Sequence, residues 1–271
     1  MILIILLICL LQGFTEFIPV SSQGHLIVFN FFFDQILESN LSILEINIFA
    51  HFGSLLAILI YYHRRLLKLL IAIKHIPRPD IDRNSYLLIQ LFVSTLPIIF
   101  AGYLFGNFFT YETSFTILII GLSSIIFGLL IGIVDQFCLR IKNIDSLNLR
   151  SALMVGFFQC FALIPGVSRS GAIMTILRFK GFRRDFCVFY SNLLSIPAIL
   201  GATIFIILEN DFIITGFLTN IYTYLIIVFS FIFSLIFIHF LVSWVRKSSL
   251  LIFVIYRLLF GSLLLFFYLN Y

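Results

Sequence analysis

Residues 222–245 pass without a single Lys, Arg, Asp or Glu, and five further apolar stretches of similar length carry at most one charged residue each. About 20 apolar residues cross the hydrocarbon core of a bilayer as one helix. In lipid every backbone N–H and C=O must be satisfied within the chain, which leaves helices or a closed barrel. These stretches show no strict alternation of apolar and polar residues, so they read as helices. Composition agrees. The 271 residues are 62% hydrophobic and 11% charged, whereas soluble domains average about 45–50% apolar and about 25% charged. The expected fold is all-α and polytopic, with 1–271 forming a single integral membrane domain and no soluble domain attached.

A net charge of +5 calls for no nucleic acid partner, because excess Lys and Arg in a membrane chain belongs in its cytoplasmic loops. Cys9, Cys138, Cys160 and Cys187 have no metal-pair spacing and read as buried thiols, with neither disulfide nor zinc site. The N-terminal MILIILLICLLQ lacks a basic leader and is followed by no small-residue cleavage site. It is expected to be retained structure, not a signal peptide.

Apart from Arg169 and Arg257, the basic residues fall into four groups: Arg64 to Arg83, Arg140 to Arg150, Arg178 to Arg184, and Arg246 with Lys247. The positive-inside rule makes these four loops cytoplasmic. The segments 34–45, 107–114 and 209–220 carry acids and no Lys or Arg, and read as outside loops. Crossings are then expected at 46–62, 86–105, 115–137, 187–208, 222–245 and 250–270. Residues 151–177 lie between two basic loops, so they must begin and end on the same side. A re-entrant hairpin broken at PGVSRSG (165–171) satisfies this, since Pro and Gly punctuate helices. The first segment, 1–33, has the same grammar around PVSSQG (19–24). The chain therefore reads as two inverted repeats, about 1–137 and about 151–271, each a re-entrant helical hairpin plus three transmembrane helices. A gapped likeness between LQGFTEFIPVSSQG and FQCFALIPGVSRSG accords with this. Inverted repeats with broken helices place a site at their interface near the midplane, so the two breaks are expected to meet in one pocket.

Glu16 is the only acid of the first segment, and Arg169 is the base inside the second break. Ionisable groups in lipid cost at least about 2.5–3.5 kcal/mol each on insertion scales. The pair either clasps the two breaks together or serves a reaction. Gln12 and Glu16 are four apart and share a helical face; oxygen donors suit a hard cation, Mg²⁺ or Ca²⁺, completed by substrate phosphate and water. Ser22 and His25 are one turn apart and could act as nucleophile and base. PGVSRSG offers the Ser168 and Ser170 hydroxyls, the Arg169 guanidinium and a helix N-terminus, which together make an anion site. A cation, a hydroxyl, a histidine and an anion nest describe phosphoryl chemistry, and in lipid the substrate is a lipid phosphate.

Three motifs carry a family likeness. A (Glu/Gln)-x-x-x-Glu pair stands as Gln12 with Glu16, a Pro-Val-Ser-Ser-x-Gly-His stretch as Pro19 to His25, and a Pro-Gly-x-Ser-Arg-Ser run as Pro165 to Ser170. With AHFGSLLAIL (50–59), STLPIIFAG (94–102) and YRLLFGSLLL (256–265), the chain resembles the undecaprenyl-diphosphate phosphatases, the BacA/UppP family of bacteria, nearly end to end. That resemblance implies hydrolysis of undecaprenyl diphosphate to the monophosphate carrier lipid with a divalent cation, recycling of the carrier for peptidoglycan, and bacitracin resistance on overproduction. It implies that Gln12 and Glu16 help hold metal and diphosphate. Ser22 or His25 would be the nucleophile, the favoured arrangement being Ser22 attacking with His25 as base. Arg169, with Ser21, Ser168 and Ser170, would bind phosphate. The chain departs from the family pattern at Ile173, where a Thr is usual and Thr175 stands two residues on, at Gln23, where many members have Thr, and in the amide at Gln12. These departures bear on metal affinity and rate more than on reaction type.

The rival from another class is a transporter of lipids or small anions, since inverted repeats and a midplane site are transporter features. It would need the arginine nest but no reactive Ser22 or His25. Expected partners are the polyprenyl diphosphate and the bilayer, with no nucleic acid; a homodimer is one option for the assembly, which the sequence leaves open. The pocket is expected to open to the outside of a bacterial inner membrane. His51, His63 and His75 read as structural or loop residues, and Trp244 as an interface anchor.

Overall fold

The computed structural model describes residues 2–33, 42–79, 81–105, 113–209 and 220–270. They form eleven α-helices, α1 (Ile2–Thr15), α2 (Ser22–Phe33), α3 (Ile43–Tyr61), α4 (His63–Ala72), α5 (Arg83–Phe105), α6 (Thr113–Phe137), α7 (Leu149–Gln159), α8 (Arg169–Phe179), α9 (Arg184–Glu209), α10 (Ile221–Lys247) and α11 (Leu251–Asn270). Among these residues there is no β-strand, only a lone bridge between Lys142 and Phe182. Six helices, α3, α5, α6, α9, α10 and α11, are long and apolar enough to cross a membrane, and they match the six expected crossings to within three residues at each end. α1 and α7 are apolar but too short. The acidic segments 34–45, 107–114 and 209–220 fall largely outside the described residues.

Local chemistry sets the helix starts. Ser42 caps α3 in a capping box: its hydroxyl accepts from the Glu45 N–H, and the Glu45 carboxylate accepts from the Ser42 N–H. This satisfies two otherwise orphaned donors. Asn148 and Asn220 cap α7 and α10. One element differs from expectation. The basic stretch after Tyr62 is helical, as α4, rather than loop. In HRRLLKLLIA, Leu69 and Ala72 are buried while Arg64 and Lys68 lie on the exposed side. Helical spacing of leucines between cations makes an amphipathic helix, which tallying charges alone overlooks.

The long helices pair closely where small residues permit. A Cβ on Gly53 of α3 would lie 2.5 Å from the Ile227 carbonyl of α10, and one on Gly261 of α11 would lie 2.7 Å from the Gly121 carbonyl of α6. α1 meets α10 at Gly13, and α7 meets α5 at Gly156. Backbones approach in this way when packing and hydrogen bonds, rather than water, drive association.

The four basic segments gather at one end of the bundle. Arg83 donates to the Ile144 carbonyl and pairs with Asp145 at 3.3 Å. Arg184 donates to the Ser248 carbonyl. Asp135, at the end of α6, is the knot. It accepts from Arg178 at 3.0 Å, from Arg184 at 2.7 Å through both oxygens, and from the Leu250 N–H. Arg178 is fully buried and also donates to the carbonyls of Cys138, Leu139 and Phe182. Asp135→Ala removes the counter-charge of a buried guanidinium and is expected to cost about 3–5 kcal/mol. Breaking the exposed Arg183–Asp185 pair by Arg183→Gln is expected to cost under about 1 kcal/mol. Thermal unfolding of both variants in detergent checks the contrast.

Candidate functional site

Both short-helix pairs break at the same local structure. α2 starts after Ser21 and α8 after Ser168. These are the only non-glycine residues with positive φ among those described, at 82° and 72°. Each caps its helix the same way: Ser21 Oγ accepts from the Gly24 N–H at 3.2 Å, and Ser168 Oγ accepts from the Gly171 N–H at 3.1 Å. A non-glycine residue held in this region costs on the order of 1–3 kcal/mol, and such strain concentrates at functional sites. Ser22 and Arg169 are thus equivalent first residues of two half-helices.

The two breaks touch. A Cβ on Gly24 would lie 3.3 Å from the Gly166 Cα, and one on Gly166 (φ +91°) would meet Ser123 Oγ at 2.2 Å. Only glycine fits there. Ser170 Oγ donates to the Ile18 carbonyl at 2.8 Å. Arg257, 1% exposed, binds both breaks to α6: it donates to the carbonyls of Pro19, Gly166, Val167, Ser123 and Ser124 at 2.9–3.3 Å. Five carbonyl dipoles replace a carboxylate around this charge.

A cavity of about 460 Å³ opens beside the junction, lined by Glu16, Ser21, Ser22, Gln23, Ser168 and Arg169 from the breaks, and by Asn47 and His51 from α3. α2 and α8 therefore end their N-termini on one space, which favours anions. Glu16 is its hub. It accepts from Ser22 Oγ at 2.7 Å, from Gln12 Nε2 at 3.0 Å and from Arg169 Nη2 at 3.1 Å, with His51 Nε2 at 3.5 Å. Gln12 is steadied by Ser54, itself held by Ser234. Three buried polar atoms have no partner here: Arg169 Nη1, Gln12 Oε1 and Asn47 Oδ1. Unsatisfied buried polar groups are uncommon in folded proteins, and each calls for a partner such as water, an ion or a ligand. Arg169 Nη1 is a free donor for an anion. The two amide oxygens and the Glu16 carboxylate are the donor class of a hard cation. Among the described residues no three His, Cys, Asp or Glu gather in metal-binding range, so such a cation fits only if an anionic ligand supplies further oxygens.

Of the residues expected here, Glu16, Ser21, Ser22, Ser168 and Arg169 line the cavity, and Gln12 backs it through Glu16. Ser170 does not reach the cavity, because its hydroxyl is spent on Ile18 and Ser168. His25 and Ser22 are not brought together. His25 is buried, stacked on Phe260 with centroids 4.1 Å apart. Its Nδ1–H goes to the Ser21 carbonyl, and its Nε2 accepts from Tyr256 Oη, both at 2.7 Å. A main-chain carbonyl can only accept, which fixes this tautomer. Four residues escaped the sequence reading: Asn47, His51, Tyr256 and Arg257. Asn47, His51 and Ser54 recur at helical spacing on one face of an apolar span, and Arg257 stands outside every basic loop; those were the signals. In a chain stripped of its native cysteines, Ser22→Cys is expected to react with a hydrophilic maleimide in the folded, detergent-solubilised state. His25→Cys and Ser170→Cys are expected to react only after unfolding, and mass spectrometry of the labelled protein distinguishes the three.

A family model described as bacitracin resistance protein BacA matches residues 5–263. The chain is 34% identical over 265 residues to the undecaprenyl-diphosphatase of Alteromonas mediterranea, covering 97% of both. It is 35% identical over 261 residues to that of Pelagibacter ubique, covering 96% of this chain and 95% of the relative. To that of Caldicellulosiruptor bescii it is 32% identical over 266 residues, with the same coverage.

Proposed function

The chain belongs to the bacitracin resistance protein BacA family, and from that premise we propose that it hydrolyses undecaprenyl diphosphate to undecaprenyl phosphate and inorganic phosphate, recycling the carrier lipid of cell-wall synthesis. The observation that carries this reading is the Glu16 cluster: a hydroxyl, a carboxylate and an arginine with an unpaired N–H, meeting at two helix N-termini in a cavity of a membrane bundle.

Ser22 is the nucleophile of this proposal. Its Oγ attacks the terminal phosphorus while its proton passes to Glu16 Oε2, 2.7 Å away. The bond from that phosphorus to the bridging oxygen breaks, and the lipid monophosphate leaves with the oxygen. Water then attacks the phosphoserine, returns the Ser22 hydroxyl and frees inorganic phosphate. Arg169 Nη1 and the N-termini of α2 and α8 stabilise charge on the transferring group, the main task in phosphoryl transfer. Gln12 Oε1 and Glu16 would hold Mg²⁺ or Ca²⁺ jointly with the diphosphate, and a bound cation would supply charge neutralisation there. Glu16 replaces His25 as the base beside Ser22. His25 becomes a positioning residue that clamps the Ser21 carbonyl and so the strained turn before the nucleophile.

The same proposal covers the architecture. α1–α2 and α7–α8 are re-entrant hairpins in two inverted repeats of one domain, about 1–137 and 151–271. The matched Ser21 and Ser168 turns support this, as do the paired contacts of α1 with α10 and α7 with α5. The cavity is lined by the start of α3 and the end of α9, opposite the basic end, which by the positive-inside rule points it outward from the cell membrane.

Phosphate release from undecaprenyl diphosphate by purified protein tests the proposal. Release is expected to stop with chelator and return with Mg²⁺ or Ca²⁺. Ser22→Ala and Arg169→Ala are expected to lose at least about 10³-fold in kcat, and Glu16→Gln a comparable amount. His25→Gln is expected to lose about 10–100-fold without abolishing turnover. Full activity in Ser22→Ala would overturn the serine mechanism, and no release by folded wild type would overturn the hydrolase reading.

A further inference from the structure

A second and larger cavity, about 870 Å³, lies at the basic end of the bundle. It sits between the same two helices as the first. The Glu16 cavity uses the start of α3, from Leu44 to His51, and the later part of α9, from Ala198 to Ile206. The second uses the end of α3, at Tyr61 and Tyr62, and the start of α9, from Asp185 to Phe189. Between them runs an apolar plug that includes Leu55 and Ile58 of α3 with Ile196 of α9 and Ile238 of α10. The α3–α9 seam therefore holds one polar cavity at each end and a dry waist.

Its charge is lopsided. Arg65, Arg83, Arg183 and Arg246 line it against a single carboxylate, Asp185. Arg183 is already paired with Asp185 at 3.2 Å, and Arg83 with Asp145 at 3.3 Å. Arg65 and Arg246, among the described residues, take part in no ion pair. Arg65 is half-buried against the Phe189 ring, at 5.7 Å from its centroid, and its Nε is buried without a hydrogen-bond partner. Asn84 and Asn143 also line it, and the rest of the wall is aromatic and aliphatic, with Tyr62, Phe186, Phe189 and Val242. Arg183 and Arg246 are exposed and Arg83 is partly so, while Arg65 is half-buried; all four border one open cavity whose wall is partly apolar. Guanidinium groups so placed match a phosphate dianion, and the wall matches an isoprenyl chain.

We propose that this cavity is a second anion site, distinct from the Glu16 cavity, which binds the phosphate monoester headgroup of an isoprenyl lipid from the opposite face of the membrane. The choice of lipid rests on the hydrolase reading, whose product is such a monoester; the anion site itself does not.

The test is calorimetric titration of the purified full chain in detergent with farnesyl phosphate, with inorganic phosphate and with farnesol. Four forms are compared: wild type, Arg65→Gln/Arg246→Gln, Arg169→Gln, and the triple variant. Wild type is expected to take two equivalents of farnesyl phosphate, each of the first two variants one, and the triple variant none. Loss at each site should exceed about tenfold in affinity. Farnesol is expected not to bind at the arginines. Inorganic phosphate binding at the same site would sustain the anion site with free phosphate as its occupant; binding of farnesyl phosphate alone would sustain the lipid headgroup. A single wild-type equivalent that survives in Arg65→Gln/Arg246→Gln, or a double variant that binds like wild type, would overturn the proposal; a single equivalent lost in that variant would sustain it. Phosphate release by that double variant is expected to stay within about twofold of wild type. Absent release by wild type would sink the hydrolase reading while the binding count still decides the second site.

Discussion

One carboxylate governs this molecule. Glu16 lies 8% exposed within an apolar bundle, where an unpaired charge is costly. Its neighbours are what make it tolerable: a hydroxyl from Ser22, an amide from Gln12 and a guanidinium from Arg169. Those three come from the first short helix, the start of the second and a break some 150 residues away. Satisfying one buried charge thus requires the two breaks to meet. The groups that stabilise the ion are also those that chemistry at a phosphoryl group demands.

Arg257 solves the complementary problem. Breaking a helix inside a packed bundle strands carbonyls that need donors. The guanidinium of Arg257 collects three of them from the two breaks and ties them to two carbonyls of α6. A lysine could not span that fork. With their carbonyls held, the breaks hold Ser21 and Ser168 in the left-handed region, which puts Ser22 and Arg169 at matching helix starts. The strain at the two serines is thereby sustained by packing remote from the cavity, an arrangement common where geometry must be rigid.

The crossings were legible because hydropathy in lipid admits few solutions. The breaks were legible because Pro, Gly and Ser interrupt apolar runs for a physical reason. Glu16, Ser22 and Arg169 stood out as polar groups in the wrong solvent, and all three line the cavity. Other inferences depended on direction, which spacing does not encode. Ser22 and His25 share a helix turn, yet one faces the cavity and the other stacks on Phe260. Ser170 neighbours Arg169 but serves as a tie to Ile18. His51 passed as an ordinary span residue because its partner, Glu16, lies on another segment, and Asn47 because only the fold brings it to the cavity.

By itself the sequence pointed to a helical membrane bundle with six long apolar segments and two interrupted ones, since backbone satisfaction in lipid leaves helices or a closed barrel and these segments lack the alternation of barrel strands. It also determined which residue types could do chemistry there. The tertiary structure alone decided which of them meet. Orientation of a side chain about its helix axis, and the contact between residues over a hundred positions apart, follow from packing of the whole bundle and not from local pattern. For that reason Glu16, and not His25, is the partner of Ser22, and for that reason two cavities share one seam between α3 and α9.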